Sequence, residues 1–172
     1  PEGEVLEQLS GELQLDRHSV EDALAPRERA KVSRHATHTF FTCYAADLTV
    51  DDNDLPDLTI GRISAFVMPN GLITVRSARG APIDLDEVVE RWEGQGLLGH
   101  GVGALVHGLL DVLVDAHFGA VQLMDDKLED LEDLLFAESV QTREVQRRVF
   151  ALRKALVRLR RQNTYTAPCP SF

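Results

Sequence analysis

The 172-residue sequence holds only two cysteines, Cys43 and Cys169, one tryptophan and two methionines, and aromatic residues make up just 6% of it. Two cysteines with no CxxC or CxxH neighbour build neither a disulfide framework nor a structural zinc site. A reducing compartment is the natural reading. Long apolar runs are also missing: the stretch around Leu105 to Val114 is broken by His107, Gly108 and Asp111, short of the roughly 18 apolar residues a membrane span needs. No secretory leader pattern is present, and the chain opens on Pro1, which reads as a processed or cut chain. The GxSxG, P-loop, HExxH and GxGxxG patterns are absent. The Ser, Cys and His residues fall in no nucleophile pattern, so no enzyme is expected. Neither internal repeats nor low-complexity segments are visible. What is there, 44% hydrophobic and 27% charged residues, is ordinary composition for one globular domain.

Charge is unevenly spread over the net −10. Residues 1–140 carry 27 acids and 10 bases, a net −17, whereas residues 141–172 carry one acid, Glu144, and eight bases, a net +7. A basic tail often marks nucleic-acid or membrane binding. Here it follows a strongly acidic segment that faces it more readily than a phosphate backbone would, and a −17 body repels that backbone. Nucleic acid is therefore not an expected partner.

Apolar spacing divides the chain. Val5, Leu6, Leu9 and Leu13 predict a short amphipathic helix over Glu4–Leu15. Ser19–Leu24 reads as a second, with Ser19 as N-cap and Pro26 ending it. Lys31–Arg34 is a short extended piece. Thr37–Leu48, Leu58–Met68 and Leu72–Arg76 predict strands, the last two joined by Pro69-Asn70-Gly71. Ile83–Gly94 is helical, with acids in its first turn. Val102, Leu105, Leu109, Val112, Leu113 and Ala116 start a helical register that runs on through Val121, Met124, Leu128, Leu131 and Leu135. That is one helix of about 35 residues, well beyond the usual ~10–14. Its second half is acidic, from Asp125 to Asp133. After a break near Ala137–Gln141, Val145, Val149, Leu152, Leu156 and Leu159 form a heptad seam flanked by arginines. An acidic helix followed by a basic one predicts an antiparallel hairpin, held by the seam and selected by charge. The expected organisation is a sheet-containing region over 1–98, a helical hairpin over 99–162 and an irregular tail over 163–172. The fold class is α/β: an α-β-α sandwich with a small mixed or antiparallel sheet, extended by the hairpin.

Candidate chemistry is sparse. His100 and His107 share a helix face at a spacing of seven, where zinc pairs favour four. His35 and His38 straddle a strand start and point to opposite faces. The Asp51–Asp57 cluster, DDNDLPD, resembles a calcium loop without its central Gly and terminal Glu, and reads as a solvated turn. More informative are Glu21, Asp22 and Asp111. Asp111 interrupts an apolar helix face, and a carboxylate there needs a partner or a cation. Asp115 lies one turn on.

Four segments in order, SVEDALAPRERAKV (Ser19–Val32), ISAFVMPNGLITVR (Ile63–Arg76), LLDVLVDAHF (Leu109–Phe118) and VQRRVFALRKALVRLRR (Val145–Arg161), resemble the cytoplasmic domain of CorA-type magnesium and cobalt transport proteins. The resemblance runs from about Glu4 to Arg161. The family's Gly-Met-Asn signature, stalk helix and two membrane helices do not appear. After Arg161 the sequence reads QNTYTAPCPSF, unlike the family's continuing helix. The resemblance therefore implies a soluble piece of a transporter, truncated before its stalk and membrane helices, that does not conduct ions by itself.

It further implies a homopentamer on the cytoplasmic side of the plasma membrane, whose partners are itself and the rest of the transporter. Divalent-cation sites lie between protomers and are built from carboxylates. The matching positions here are Glu21, Asp22 and Asp111, with a further acid on the stalk. The implied ion is Mg2+, with Co2+ or Zn2+ as alternatives, held weakly in this piece. Two other readings stay open: the same domain from a ZntB-like zinc transporter, and a soluble interaction module that uses its hairpin without metal.

Overall fold

The computed structural model describes residues 2–77, 80–94, 97–136 and 142–163. Two helices come first, α1 (Glu2–Glu12) and α2 (Arg17–Leu24). Four strands follow, β1 (Lys31–Arg34), β2 (Thr39–Val50), β3 (Pro56–Met68) and β4 (Gly71–Arg76). Then come α3 (Leu85–Gly94), a 3-10 turn (Leu97–His100), α4 (Val102–Phe136) and α5 (Thr142–Asn163). The architecture is α/β, with one sheet carrying helices on both faces.

The sheet is an antiparallel meander in the order β1-β2-β3-β4. Its spine is the β2–β3 ladder, in register from Thr39 opposite Val67 to Val50 opposite Pro56. Alternation along these strands sends successive side chains to opposite faces. Phe40 and Phe66 are a cross-strand pair that packs with Leu6, Leu15, Val20 and Ala23 from α1 and α2. Phe41 and Ala65, the next pair, pack on the other face with Val88 of α3 and Leu109, Val112 and Leu113 of α4. Toward the β2–β3 turn a third cluster joins Ala46, Leu48 and Leu58 to Ala120 and Met124 of α4 and Ala155 and Leu159 of α5. The helices α4 and α5 thus meet in reverse order along the sheet. The predicted hairpin is an extension of the sandwich that also covers its sheet.

One close approach fixes how the sheet meets the segment before α3. A Cβ on Gly61 would lie 2.3 Å from the carbonyl oxygen of Ala81, and one on Gly80, at φ +131°, would lie 2.3 Å from that of Ile60. Any larger residue at Gly61 forces the two backbones apart.

Several local expectations are corrected. The N-cap of α2 is Asp16, whose carboxylate accepts from the Ser19 backbone N–H at 2.9 Å. Ser19 lies inside the helix, because the side chain that reaches the third N–H is the cap. His35 and His38 do not point apart: their rings stack at 4.7 Å and 21°. Both lie in the bend between β1 and β2, where strand alternation does not apply. His100 sits in the 3-10 turn and Gly101, at φ +66°, separates it from α4, so it shares no helix with His107. The heptad seam of α5 is only half buried: Leu152 and Leu159 are covered, with Ala155 between them, while Val149 and Leu156 are exposed. Part of α4 is, by length and composition, long and apolar enough to cross a membrane, unlike the reading from its interrupted runs. The core helix of a water-soluble protein passes the same test, and this one buries Leu109, Val112 and Leu113 against the sheet. The break at 137–141 and the tail from 164 lie outside the described residues.

The histidine stack pins α2 to the sheet. Ser19 Oγ lies 3.0 Å from His35 Nε2, Asp16 lies 3.9 Å from His35 Nδ1, and Thr37 Oγ1 lies 2.9 Å from His38 Nδ1. His38 is buried beside Phe66, and its Nε2 has no hydrogen-bond partner among the described residues. Burial, and then the neighbouring His35, press the His38 imidazole below its ordinary value, against a weaker opposite pull from Asp16. The unfolded chain therefore takes up this proton first as pH falls through about 6.5. Stability is predicted to drop as pH falls below that point, and His38→Phe to flatten the dependence. Urea unfolding at stepped pH reads both.

Candidate functional site: two acid clusters, each holding one cation

Glu21 and Asp22 lie on α2, which packs over β3. Arg62 of β3 donates to the carbonyl of Ala23 at 2.8 Å, closing the C-terminal end of the helix onto the sheet. Tyr44 of β2 donates to the carbonyl of Glu28 and fixes the loop that follows. Glu21 faces solvent, with Arg17 Nε at 3.1 Å and His18 Nδ1 at 3.6 Å. Asp22 points the other way and is partly buried. Its Oδ2 accepts from Lys31 Nζ, which also lies 3.4 Å from Glu28. Burial works against the Lys31 charge, but the hydrogen bonds and charges of Asp22 and Glu28 together outweigh it and raise its pKa. The Arg29 backbone N–H holds the Glu28 carboxyl below its usual range, against the effect of burial. Two carboxylates thus share one ammonium.

Asp111 belongs to a second cluster, on the opposite face of the sheet. Arg91 of α3 reaches α4 with its Nη1 2.6 Å from Asp111 and its Nη2 3.2 Å from Asp115. The same Nη2 lies 2.6 Å from Glu87, one turn earlier in α3. The predicted pairing of Asp111 and Asp115 on one face is present. Sequence reasoning missed the guanidinium between them, 20 residues away from Asp111. The hydrogen bonds that Arg91 donates to Glu87 and Asp115 raise its pKa further. Three carboxylates around one permanent cation leave two negative charges uncompensated at this spot.

The sheet lies between these clusters, so one copy of the chain does not bring Glu21 and Asp22 to Asp111. Among the described residues, no group of three or more His, Cys, Asp or Glu side chains is placed to hold a metal ion. A third charged centre lies in the acidic turn that the sequence reads as solvated. Asp54, in the β2–β3 turn, accepts from Lys127 of α4 at 2.7 Å and from Arg148 of α5 at 3.1 Å. The Lys127 hydrogen bond leads in holding the Asp54 carboxyl low. Arg158 reaches the carbonyl of Leu58 at 3.1 Å and Asp57 at 3.4 Å. Where the sequence reading matches the α5 arginines to the acids of α4, the structure carries Arg148 and Arg158 to this turn. Cys43 is no nucleophile: burial pushes its thiol up to about 12.

The chain matches the sequence model of the family described as CorA-like Mg2+ transporter protein, over residues 1–167. A search of curated proteins finds no match. Among solved structures it is similar to the soluble domain of CorA from Methanocaldococcus jannaschii, at 18% identity and a TM-score of 0.57. That match covers 95% of this chain and 66% of the other. It is also similar to the complete CorA magnesium transporter of the same organism, at 20% identity and a TM-score of 0.63, covering 96% of this chain and 50% of that one. At these identities the likeness shows the fold. The chain spans about half the length of the complete transporter.

Because Arg91 is the cation that Glu87, Asp111 and Asp115 share, Arg91→Gln is predicted to lower stability, most at low salt, where the three acids repel one another unscreened. Urea unfolding of variant and parent at stepped salt measures the effect.

Proposed function

The chain belongs to the family of CorA-like Mg2+ transporter proteins, and from that premise we propose that it is the regulatory cytoplasmic domain of a divalent-cation transporter. It senses intracellular Mg2+ through carboxylates that are completed between protomers. The observation that carries the reading is the surplus of acids over cations at Asp111: Glu87, Asp111 and Asp115 share a single guanidinium. Glu21 and Asp22 supply further carboxylates on the other face. Those two already have Arg17 and Lys31 beside them, so the surplus lies at Asp111.

The donor chemistry favours magnesium. Mg2+ is a hard ion that keeps several waters and takes one or two carboxylates from its protein. Zinc prefers imidazole and thiolate, and the three candidate residues are all carboxylates. Loss of the ion leaves acids facing one another across the protomer boundary. Their repulsion loosens that boundary, which couples cation occupancy to assembly. In the intact transporter this coupling would gate the pore: high intracellular Mg2+ keeps the domains packed and the pore shut. The protein is not an enzyme in this reading, and its partners are further copies of itself and the membrane part of the transporter. The same domain acting as a metal-independent interaction module is the second reading, supported by the exposed apolar side chains along α4 and α5.

Thermal unfolding separates them. A ligand of the folded state raises the midpoint by an amount that grows as RT ln(1 + [L]/Kd), about 2.7 kcal/mol at a hundred times Kd. Mg2+ added after chelation is predicted to raise the midpoint of the parent chain, with Co2+ acting similarly and Zn2+ less. Asp111→Asn and Asp22→Asn should each reduce the Mg2+ response. Identical midpoints with and without every ion would favour the interaction module.

A further inference from the structure

Two basic residues of α5 tie that helix to the β2–β3 turn: Arg148 reaches Asp54, and Arg158 reaches the carbonyl of Leu58, each at 3.1 Å. Beside these contacts a groove of about 570 Å³ runs between helix and turn. Its α5 wall presents Arg143, Arg147, Phe150 and Lys154, which recur at steps of four, three and four and so share one helix face. Arg143 stands in the first turn of α5, where the helix dipole adds positive potential. Neither Arg143 nor Lys154 has an ion-pair partner among the described residues. Arg147 shares Glu144 with Arg148, and at 3.5 Å holds it the more loosely. The acids of the facing wall are already engaged. The Asp51 carboxylate accepts the backbone N–H groups of Asn53 and Leu55, both at 2.9 Å, and Asp57 lies 3.4 Å from Arg158. Phe150 has Arg147 and Lys154 one turn to either side and is 69% exposed, so its ring does not serve the core.

We propose that this groove binds a nucleotide, with its phosphates on Arg143 and Arg147, its base against Phe150, and Lys154 donating to the edge of the base. Guanidinium groups meet phosphate oxygens two at a time, and two of them stand at the positive end of the helix. Arg143 to Lys154 covers roughly 16 Å of helix, the reach of an extended nucleotide rather than of a lone phosphate. Every base has a face that stacks on an aromatic ring. Leu55, Pro56 and Ala151 supply the apolar walls beside that ring. Asp57 offers acceptors to a ribose hydroxyl or a base amino group, which a bare phosphate cannot use. The volume falls within the range of about 300–1,000 Å³ usual for small-molecule sites. A nucleic-acid strand or an anionic lipid surface fits less well, because Asp51, Asp52 and Asp57 of the turn repel an extended negative surface. The groove shares no residue with the clusters at Asp22 and Asp111, so the inference does not depend on cation sensing.

The test is calorimetric titration of the chain with ATP, inorganic tripolyphosphate and adenosine, at low salt and in chelator so that no divalent cation takes part. ATP is expected to bind, tripolyphosphate at least tenfold more weakly, and adenosine without measurable heat. Arg143→Gln with Arg147→Gln should weaken ATP binding at least tenfold. Phe150→Ala should weaken ATP severalfold and leave tripolyphosphate unchanged, which separates stacking from charge. Arg153→Gln with Arg161→Gln removes the same charge from exposed sites of α5 outside the groove, and should change neither ligand by more than twofold. Circular dichroism checks that each variant is folded. Phosphatidylserine vesicles should not displace ATP. No heat with ATP, tripolyphosphate binding as tightly as ATP, equal losses in the two double variants, or displacement by the vesicles would each overturn the inference.

Discussion

The β2–β3 ladder is the constraint on which the other parts rest. Its register from Thr39–Val67 to Val50–Pro56 decides which side chains reach each face, and a slip of one residue would exchange them. Through Phe40 and Phe66 it seats α1 and α2, and through Phe41 and Ala65 it seats α3 and α4. Its turn then takes hold of the helical hairpin, since Asp54 bridges Lys127 of α4 and Arg148 of α5. The acids of both clusters are carried on helices that this ladder positions. The close backbone approach at Gly61 and Ala81 sets where the chain leaves the sheet toward α3 and its Arg91.

Electrostatically the molecule solves one problem repeatedly. A body with a large excess of acids must not repel itself apart. Carboxylates are gathered around shared basic residues: Lys31 for Asp22 and Glu28, Arg91 for Glu87, Asp111 and Asp115, and Lys127 with Arg148 for Asp54, Asp130 and Glu144. These pairs are partly solvated and individually weak. Their value lies in geometry, because each ties an acid on one element to a base on another. The excess is largest around Arg91, where three carboxylates share one guanidinium.

The long-period features were legible in the sequence. The spacing of Val102 to Leu135 predicts a helix of about 35 residues, and α4 is Val102–Phe136. The strands were found nearly to their ends, because β-branched and aromatic residues cluster there between turn signals. The misses share a different cause. Asp and Ser are both residue types that cap helices, and only the backbone decides that Asp16 and not Ser19 meets the free N–H. The His35–His38 stack arises from a bend that breaks strand alternation. Arg91 at Asp111 and Asp54 at Lys127 and Arg148 are tertiary contacts across 20, 73 and 94 residues, and no local period encodes them. For the candidate cation acids, sequence resemblance named the positions. The structure supplies their surroundings, including the basic residue already standing beside each cluster.

If the acids at Asp111 and on α2 form cation sites only when copies meet, Mg2+ affinity must depend on protein concentration. Calorimetric titration of Mg2+ into the chain, once well below and once well above the concentration at which it self-associates, tests this most directly. The account predicts clearly tighter binding in the concentrated sample. Equal affinity in both, or no heat in either, would contradict a cation site shared between protomers.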